Sequence, residues 1–247
     1  MTEQAAMTIA HISKTYKNGR GVRDVSLSVN KGEIFGLFGP NGSGKTTLLK
    51  IMTGLCTADE GAIHIFGHSI SEQFEGAMAK VGCVIETADA YEYMSGYANL
   101  KLASRFYNDL PSGRIEEVLE LVGLKAYGHE KVSGYSLGMK QRLALAAALI
   151  SNPKLIILDE PTNGLDIEGI ISVRNVILHL AEHQGMTFII SSHMMSEMEL
   201  ICTRIGILFG GQLIGQGEIG ELLEGGQTME QYYLSAIQPF KEGAAHV

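Results

Sequence analysis

The run Gly39-Pro40-Asn41-Gly42-Ser43-Gly44-Lys45-Thr46-Thr47 carries the most specific chemistry in the chain. It satisfies G-x-x-x-x-G-K-[ST], with an apolar stretch (34–38) before it and the helical run LLKIMTGL after it, the context this pattern requires. Gly39, Gly42 and Gly44 let the backbone turn tightly, so that successive N–H groups converge on phosphate oxygens. A helix opening at Lys45 adds its positive dipole end. Lys45 suits the β- and γ-phosphates as a mobile point charge, and the Thr46 hydroxyl suits Mg²⁺. Asn41, Ser43 and Thr47 complete the expected cradle. The segment is a nucleotide site by its chemistry.

A second element, Leu155-Ile156-Ile157-Leu158-Asp159-Glu160, brings two carboxylates to the end of an unbroken apolar run. Such a run reads as a strand buried on both faces, and ligands collect at strand C-termini in parallel α/β sheets. Asp159 is placed to hold Mg²⁺ through water, and Glu160 to polarise an attacking water. Alone, an Asp-Glu pair after a strand is more commonly a turn or helix cap; the phosphate loop upstream favours the catalytic reading.

The elements that position these groups follow from patterning. Apolar runs at 8–12, 25–29, 34–38, 62–66, 81–85, 155–158, 187–191 and 205–209 predict strands, with helical patterns between several of them. Ile115, Val118, Leu119 and Val122 lie on one helical face, and a further helix is expected over 137–151, stopped by Asn152-Pro153. From about 88 to 151 no strand is expected, so a helical insertion interrupts an α/β core. One domain over 1–225 and a polar, Gly-rich C-terminal tail over 226–247 follow, with Tyr232, Tyr233 and Leu234 able to anchor a last helix.

Composition narrows the class. The 247 residues are 45% hydrophobic and 19% charged, which excludes wholesale disorder, and the net charge of −8 argues against a nucleic-acid partner, which needs a basic face. Cys56, Cys83 and Cys202 form no CxxC pair, so neither a disulfide framework nor a zinc site is expected. The longest apolar run, 143–150, falls far short of the ~18 residues of a membrane span. The N-terminus lacks a basic start followed by an apolar stretch, so no secretion leader is expected.

With these motifs in order, the chain resembles the nucleotide-binding subunits of ABC transporters from about residue 7 to about residue 223. Tyr135-Ser136-Leu137-Gly138-Met139, followed by Lys140-Gln141-Arg142, is similar to the family's signature LSGGQ and its basic helix. Pro161-Thr162-Asn163-Gly164-Leu165-Asp166 looks like the loop that crosses between two subunits, and Ile189-Ile190-Ser191-Ser192-His193 like the strand that ends in a switch histidine. The resemblance implies a P-loop NTPase, RecA-like α/β core with an antiparallel β subdomain and a helical insertion. It assigns Tyr16 to adenine stacking, Val22 to the nucleotide site, His193 to the γ-phosphate and to positioning Glu160, and Ser136, Gly138 and Asp166 to a nucleotide held by a second copy. ATP and Mg²⁺ as cofactors, a homodimer, a polytopic membrane permease and the cytoplasmic face of the membrane follow from the same source. Leu137 and Met139 depart from the signature, leaving Ser136 and Gly138 to carry its hydrogen bonding.

A second departure narrows the group. The strand at 81–85 ends in Glu86, where the family usually carries Gln. VIETADAYEYMSGYANL and YSLGMKQRLALAAALI resemble the bacitracin- and lantibiotic-resistance exporters. The resemblance therefore implies an ATPase subunit powering efflux of a peptide antibiotic, with Glu86 as nucleotide-site and metal ligand; the alternative is an ABC-type ATPase of a cytosolic complex with no pore. The segment from Thr87 to about Tyr107 is rich in aromatics and Met, which favour partner surfaces, and the family docks a helix of its membrane subunit there.

Overall fold

A computed structural model describes residues 5–86 and 89–244. Thr87 and Ala88, where the partner segment and the insertion are expected to begin, lie outside the described residues, as do 1–4 and 245–247. The strands are β1 (Ala5–Thr15), β2 (Gly21–Asn30), β3 (Ile34–Phe38), β4 (Glu60–Ile65), β5 (His68–Ser69), β6 (Val81–Val84), β7 (Leu155–Asp159), β8 (Thr187–Ser192), β9 (Arg204–Phe209) and β10 (Gln212–Glu218). The α-helices are α1 (Lys45–Met52), α2 (Phe74–Met78), α3 (Gly96–Ser104), α4 (Arg114–Leu121), α5 (Leu137–Leu149), α6 (Ile167–Gln184), α7 (Met195–Ile201), α8 (Ile219–Leu222) and α9 (Met229–Ala244).

Two sheets form. The smaller is antiparallel, in the order β2-β1-β4-β5; the larger runs β10-β9-β3-β8-β7-β6, parallel except for β10. This is the α/β, P-loop NTPase architecture with an antiparallel β subdomain. Strands β3, β7 and β8 are buried throughout. Because side chains alternate across a strand, each divides between two cores. Ile34 and Phe38, Ile156 and Leu158, and Phe188 and Ile190 join the core beneath α5, α6 and α7. Phe35 and Leu37, Leu155 and Ile157, and Ile189 join the one shared with α1 and the antiparallel sheet. A continuous apolar run is thus what a strand with two covered faces demands.

Differences from the sequence reading have physical causes. Strands β1 and β2 extend beyond their apolar centres because polar ends such as Lys14 and Thr15 still pair, with Val22 and Gly21. Strand β10 was not expected: Gln212, Gly215, Gln216, Gly217 and Glu218 show no apolar alternation, but an edge strand needs only backbone pairing with β9. Near the C-terminus, α9 packs onto the core through Met229 and Ile237, and Tyr233 meets the Phe38 ring edge-on at 5.3 Å.

Between β6 and β7 the described regular structure is helical. Helices α4 and α5 cap each other. The Arg114 guanidinium, 7% exposed, donates through Nη2 to Leu149 O at 2.5 Å and through Nε to Ile150 O at 3.2 Å, at the end of α5. Arg142 of α5 returns Nη1 to Val122 O at 2.9 Å and to Gly123 O, at the end of α4. Both arginines satisfy terminal carbonyls that a helix leaves unpaired and complement its negative end. Replacing Arg114 with Met removes the donors and strands two buried carbonyls. The variant should lose about 2–4 kcal/mol of stability in urea denaturation; a loss below about 0.5 kcal/mol would show that those carbonyls find other partners.

Candidate functional site

Adjacent parallel strands bring the candidate residues to one edge. Register pairs Phe38 with Ser192 and Asp159 with Ser191, so the loops after β3, β7 and β8 leave the sheet side by side at its C-terminal end, where α/β sheets bind ligands.

The loop after β3 turns into α1 through Gly44, whose φ of 105° is disfavoured for residues with a Cβ. No side chain caps α1, so its first amides remain available to an anion. The Lys45 side chain, 6% exposed, folds back across the loop: Nζ donates to Gly39 O at 2.7 Å and lies 3.2 Å from Glu160 Oε1. Ser43 Oγ is buried without a hydrogen-bond partner. An orphaned hydroxyl and an uncapped helix start fit a bound phosphate. The cleft is lined by Tyr16, Asn41, Gly42, Gly44, Lys45, Thr46, Thr47 and Glu160. Asn18 and Arg20 also line it; no motif marked them.

Glu160 is held from two sides. Oε1 faces Lys45, and Oε2 accepts from His193 Nδ1 at 2.8 Å. Because an ionised carboxylate only accepts, Nδ1 carries the hydrogen, and Nε2 is left for another group. The Glu160 backbone has a φ of 48°, and its N–H donates to Ser191 Oγ at 2.9 Å. That hydroxyl in turn donates to Asp159 Oδ1 at 2.5 Å. Ser191 therefore orients both carboxylate residues. In the sequence Ser191 stands out only as part of the strand that leads to His193, although a polar residue ending an apolar strand is a usable signal for a role of its own.

Other expected residues sit differently. Val22 is fully buried and packs behind Gly44, whose Cβ would come within 2.7 Å of Val22 Cγ1; it supports the loop and does not reach the cleft. Tyr16 is 39% exposed, with its hydroxyl 3.5 Å from Cys56 Sγ. That hydrogen bond, then burial, raises the phenol above the ordinary tyrosine value. Glu86 is paired with Lys50 at 2.6 Å. The same bond, against desolvation, holds the Lys50 ammonium above its usual value, with smaller contributions from Tyr16 and Asp159.

Ser136 N-caps α5, accepting from Met139 N–H at 3.2 Å, and Asp166 N-caps α6, accepting from Gly169 N–H at 2.8 Å. Gly138 lies against Gly169, where a Cβ would come within 3.3 Å of its Cα. The two helix starts are thus neighbours, and neither Ser136, Gly138 nor Asp166 lines the phosphate-loop cleft. Leu137 is 54% exposed and Ile167 76%. A neighbouring cleft, which shares Glu160 with the phosphate-loop cleft, is lined by Glu86, Glu92, Leu137, Lys140 and Asn163, and Glu92 is paired with Lys140 at 2.5 Å.

No cluster of three or more His, Cys, Asp or Glu side chains able to hold a metal occurs among the described residues. The oxygen donors of Thr46 and Asp159 still fit Mg²⁺, which takes one or two carboxylates and completes its shell with water and substrate phosphates. Among the described residues, no helix is long and apolar enough to cross a membrane.

Known proteins resemble this chain in sequence and fold. The family "ABC transporter" matches residues 22–163. The uncharacterized ABC transporter ATP-binding protein YhcH of Bacillus subtilis is 42% identical over 235 residues, covering 94% of this chain and 76% of that protein. The bacitracin transport ATP-binding protein BcrA of Enterococcus faecalis is 41% identical over 212 residues, 86% of this chain and 69% of its own. The lantibiotic transport ATP-binding protein SrtF of Streptococcus pyogenes is 36% identical over 94% of this chain and 97% of its own. The dimeric, post-hydrolysis structure of the ATP-binding cassette MJ0796, bound to ADP and Pi, superposes with a TM-score of 0.75 at 27% identity, covering 86% of this chain and 98% of that one. Likeness of this extent, spanning both the strands and the loops that leave them, shows that the chain belongs to the ABC transporter family as an ATP-binding, ATP-hydrolysing subunit.

Proposed function

We propose that the chain powers export of a peptide antibiotic, working as a pair of copies beneath a membrane permease, on the cytoplasmic face of the membrane. The observation that carries the chemistry is Glu160 held between Lys45 and His193 at the mouth of the phosphate loop. The likeness to bacitracin and lantibiotic transport proteins supports the substrate class.

In this reading the phosphate loop and Lys45 neutralise the β- and γ-phosphates, and Tyr16 stacks on adenine. Mg²⁺ held by Thr46, Asp159 and Glu86 would supply further charge neutralisation at the phosphates. Glu160 accepts a hydrogen bond from the attacking water and aligns it, His193 fixes that carboxylate, and His193 Nε2 remains for the γ-phosphate. Hydrolysis is then largely a matter of positioning and electrostatics. The γ-phosphate distinguishes ATP from ADP, so a clamp that contacts it opens after hydrolysis.

A second copy completes the site. Ser136 and Gly138 stand at the start of α5, where the helix dipole favours negative charge, and Asp166 caps α6 beside them with its carboxylate; all three lie outside their own chain's phosphate-loop cleft. The apolar Leu137 and Ile167 flank these helix starts. The permease docks over the cleft lined by Tyr91, Leu100, Leu102, Ala103, Phe106 and Ala144, with Phe106 85% exposed and Tyr93 72%; large exposed apolar side chains grouped around a cleft mark partner surfaces.

Replacing Glu160 with Gln should lower hydrolysis at least about a hundredfold and accumulate an ATP-dependent dimer in light scattering. A monomeric variant at saturating ATP would overturn the two-copy site. Replacing Phe106 with Asp should leave folding and ATP binding at the parent level in urea denaturation and equilibrium binding. In a deletion strain carrying the permease gene, the same variant should fail to restore protection across a panel of peptide antibiotics; full restoration would move the docking surface elsewhere.

A further inference from the structure

Among the ionic contacts around the nucleotide cleft, the Lys50–Glu86 pair serves neither the phosphate loop nor a helix cap. Lys50 Nζ meets Glu86 Oε1 at 2.6 Å, with the Lys50 side chain 30% exposed and that of Glu86 58%. Glu86 adopts a φ of 68°, a conformation that non-glycine residues leave unless local contacts hold them. On α1, Lys50 follows Thr46 by one turn, and residues at i and i+4 share a helix face. One cation outside the phosphate loop is therefore held to Glu86 on the face of α1 that carries Thr46.

We propose that Lys50 is a positioning residue that holds the Glu86 carboxylate on α1 and so sets how readily Glu86 is released to the metal of the nucleotide site. The inference rests on the assignment of Glu86 as a metal ligand. A glutamate, unlike glutamine, bears a charge that a lysine can retain; its engagement elsewhere is then an exchange of one ionic partner for another. An exposed pair of this kind resists exchange weakly, which suits an adjustable contact better than a permanent one.

The test is equilibrium binding of a fluorescent ADP analogue to the purified full chain, measured in Mg²⁺ and in EDTA. The quantity read is the ratio of the two affinities, which needs no turnover. Lys50→Met should raise that ratio about two- to fivefold, Lys50→Arg should keep it at the parent value, and Glu86→Gln should lower it. In the Glu86→Gln background, Lys50→Met should produce no further change. An unchanged ratio for Lys50→Met, alongside a lowered ratio for Glu86→Gln, overturns the role of Lys50 while leaving Glu86 a ligand. Equal shifts for Lys50→Met with and without Glu86 also overturn it, since Lys50 then acts by through-space charge alone. A Glu86→Gln protein with the parent ratio removes the ligand assignment and the proposal together. Thermal unfolding of each variant separates these outcomes from simple loss of fold.

Discussion

A carboxylate suspended between an ammonium and an imidazole is the contact on which the site depends. Glu160 holds both partners, Lys45 from the start of α1 and His193 from the loop after β8, while itself leaving the end of β7. Those strands are neighbours in the sheet, in the order β3-β8-β7, and that order brings the groups that follow them within hydrogen-bonding distance. The left-handed backbone at Glu160 is disfavoured for a residue with a Cβ. It persists because its N–H is tied to Ser191, and Ser191 is tied to Asp159. One serine hydroxyl thereby links Asp159 and Glu160.

The sheet can serve as this platform because it is clamped from both sides. Alternating side chains of β3, β7 and β8 enter two separate cores, so sliding any strand by one residue would exchange its partners on both faces. Above this platform the helices between β6 and β7 are braced by Arg114 and Arg142, each closing the other helix's carbonyl end. That bracing orients α5 with its start beside the start of α6 and outside the phosphate-loop cleft. A chain built this way presents its phosphate-binding loop and the adjoining starts of α5 and α6 at different places.

Much of this was readable in the amino-acid order. The phosphate loop, the Asp159–Glu160 pair and the buried strands are local patterns, because glycine turns, helix starts and continuous apolar runs depend on neighbours in sequence. Strand β10, with its polar and glycine residues, gave no such signal, since edge pairing draws on the backbone of β9. Asn18 and Arg20 carried none either: their place in the cleft depends on how the antiparallel sheet lies against the phosphate loop. Val22 sits behind Gly44 for the same reason.

The sequence by itself thus determined which chemical groups are present and which local backbone shapes they adopt, for these follow from side-chain type and short-range sterics. Tertiary structure alone decided who meets whom: Ser191 with Asp159 and Glu160, Lys50 with Glu86, and the start of α5 with the start of α6. Contacts between residues far apart in the chain depend on strand order and on the packing of two faces at once, and no local pattern encodes either.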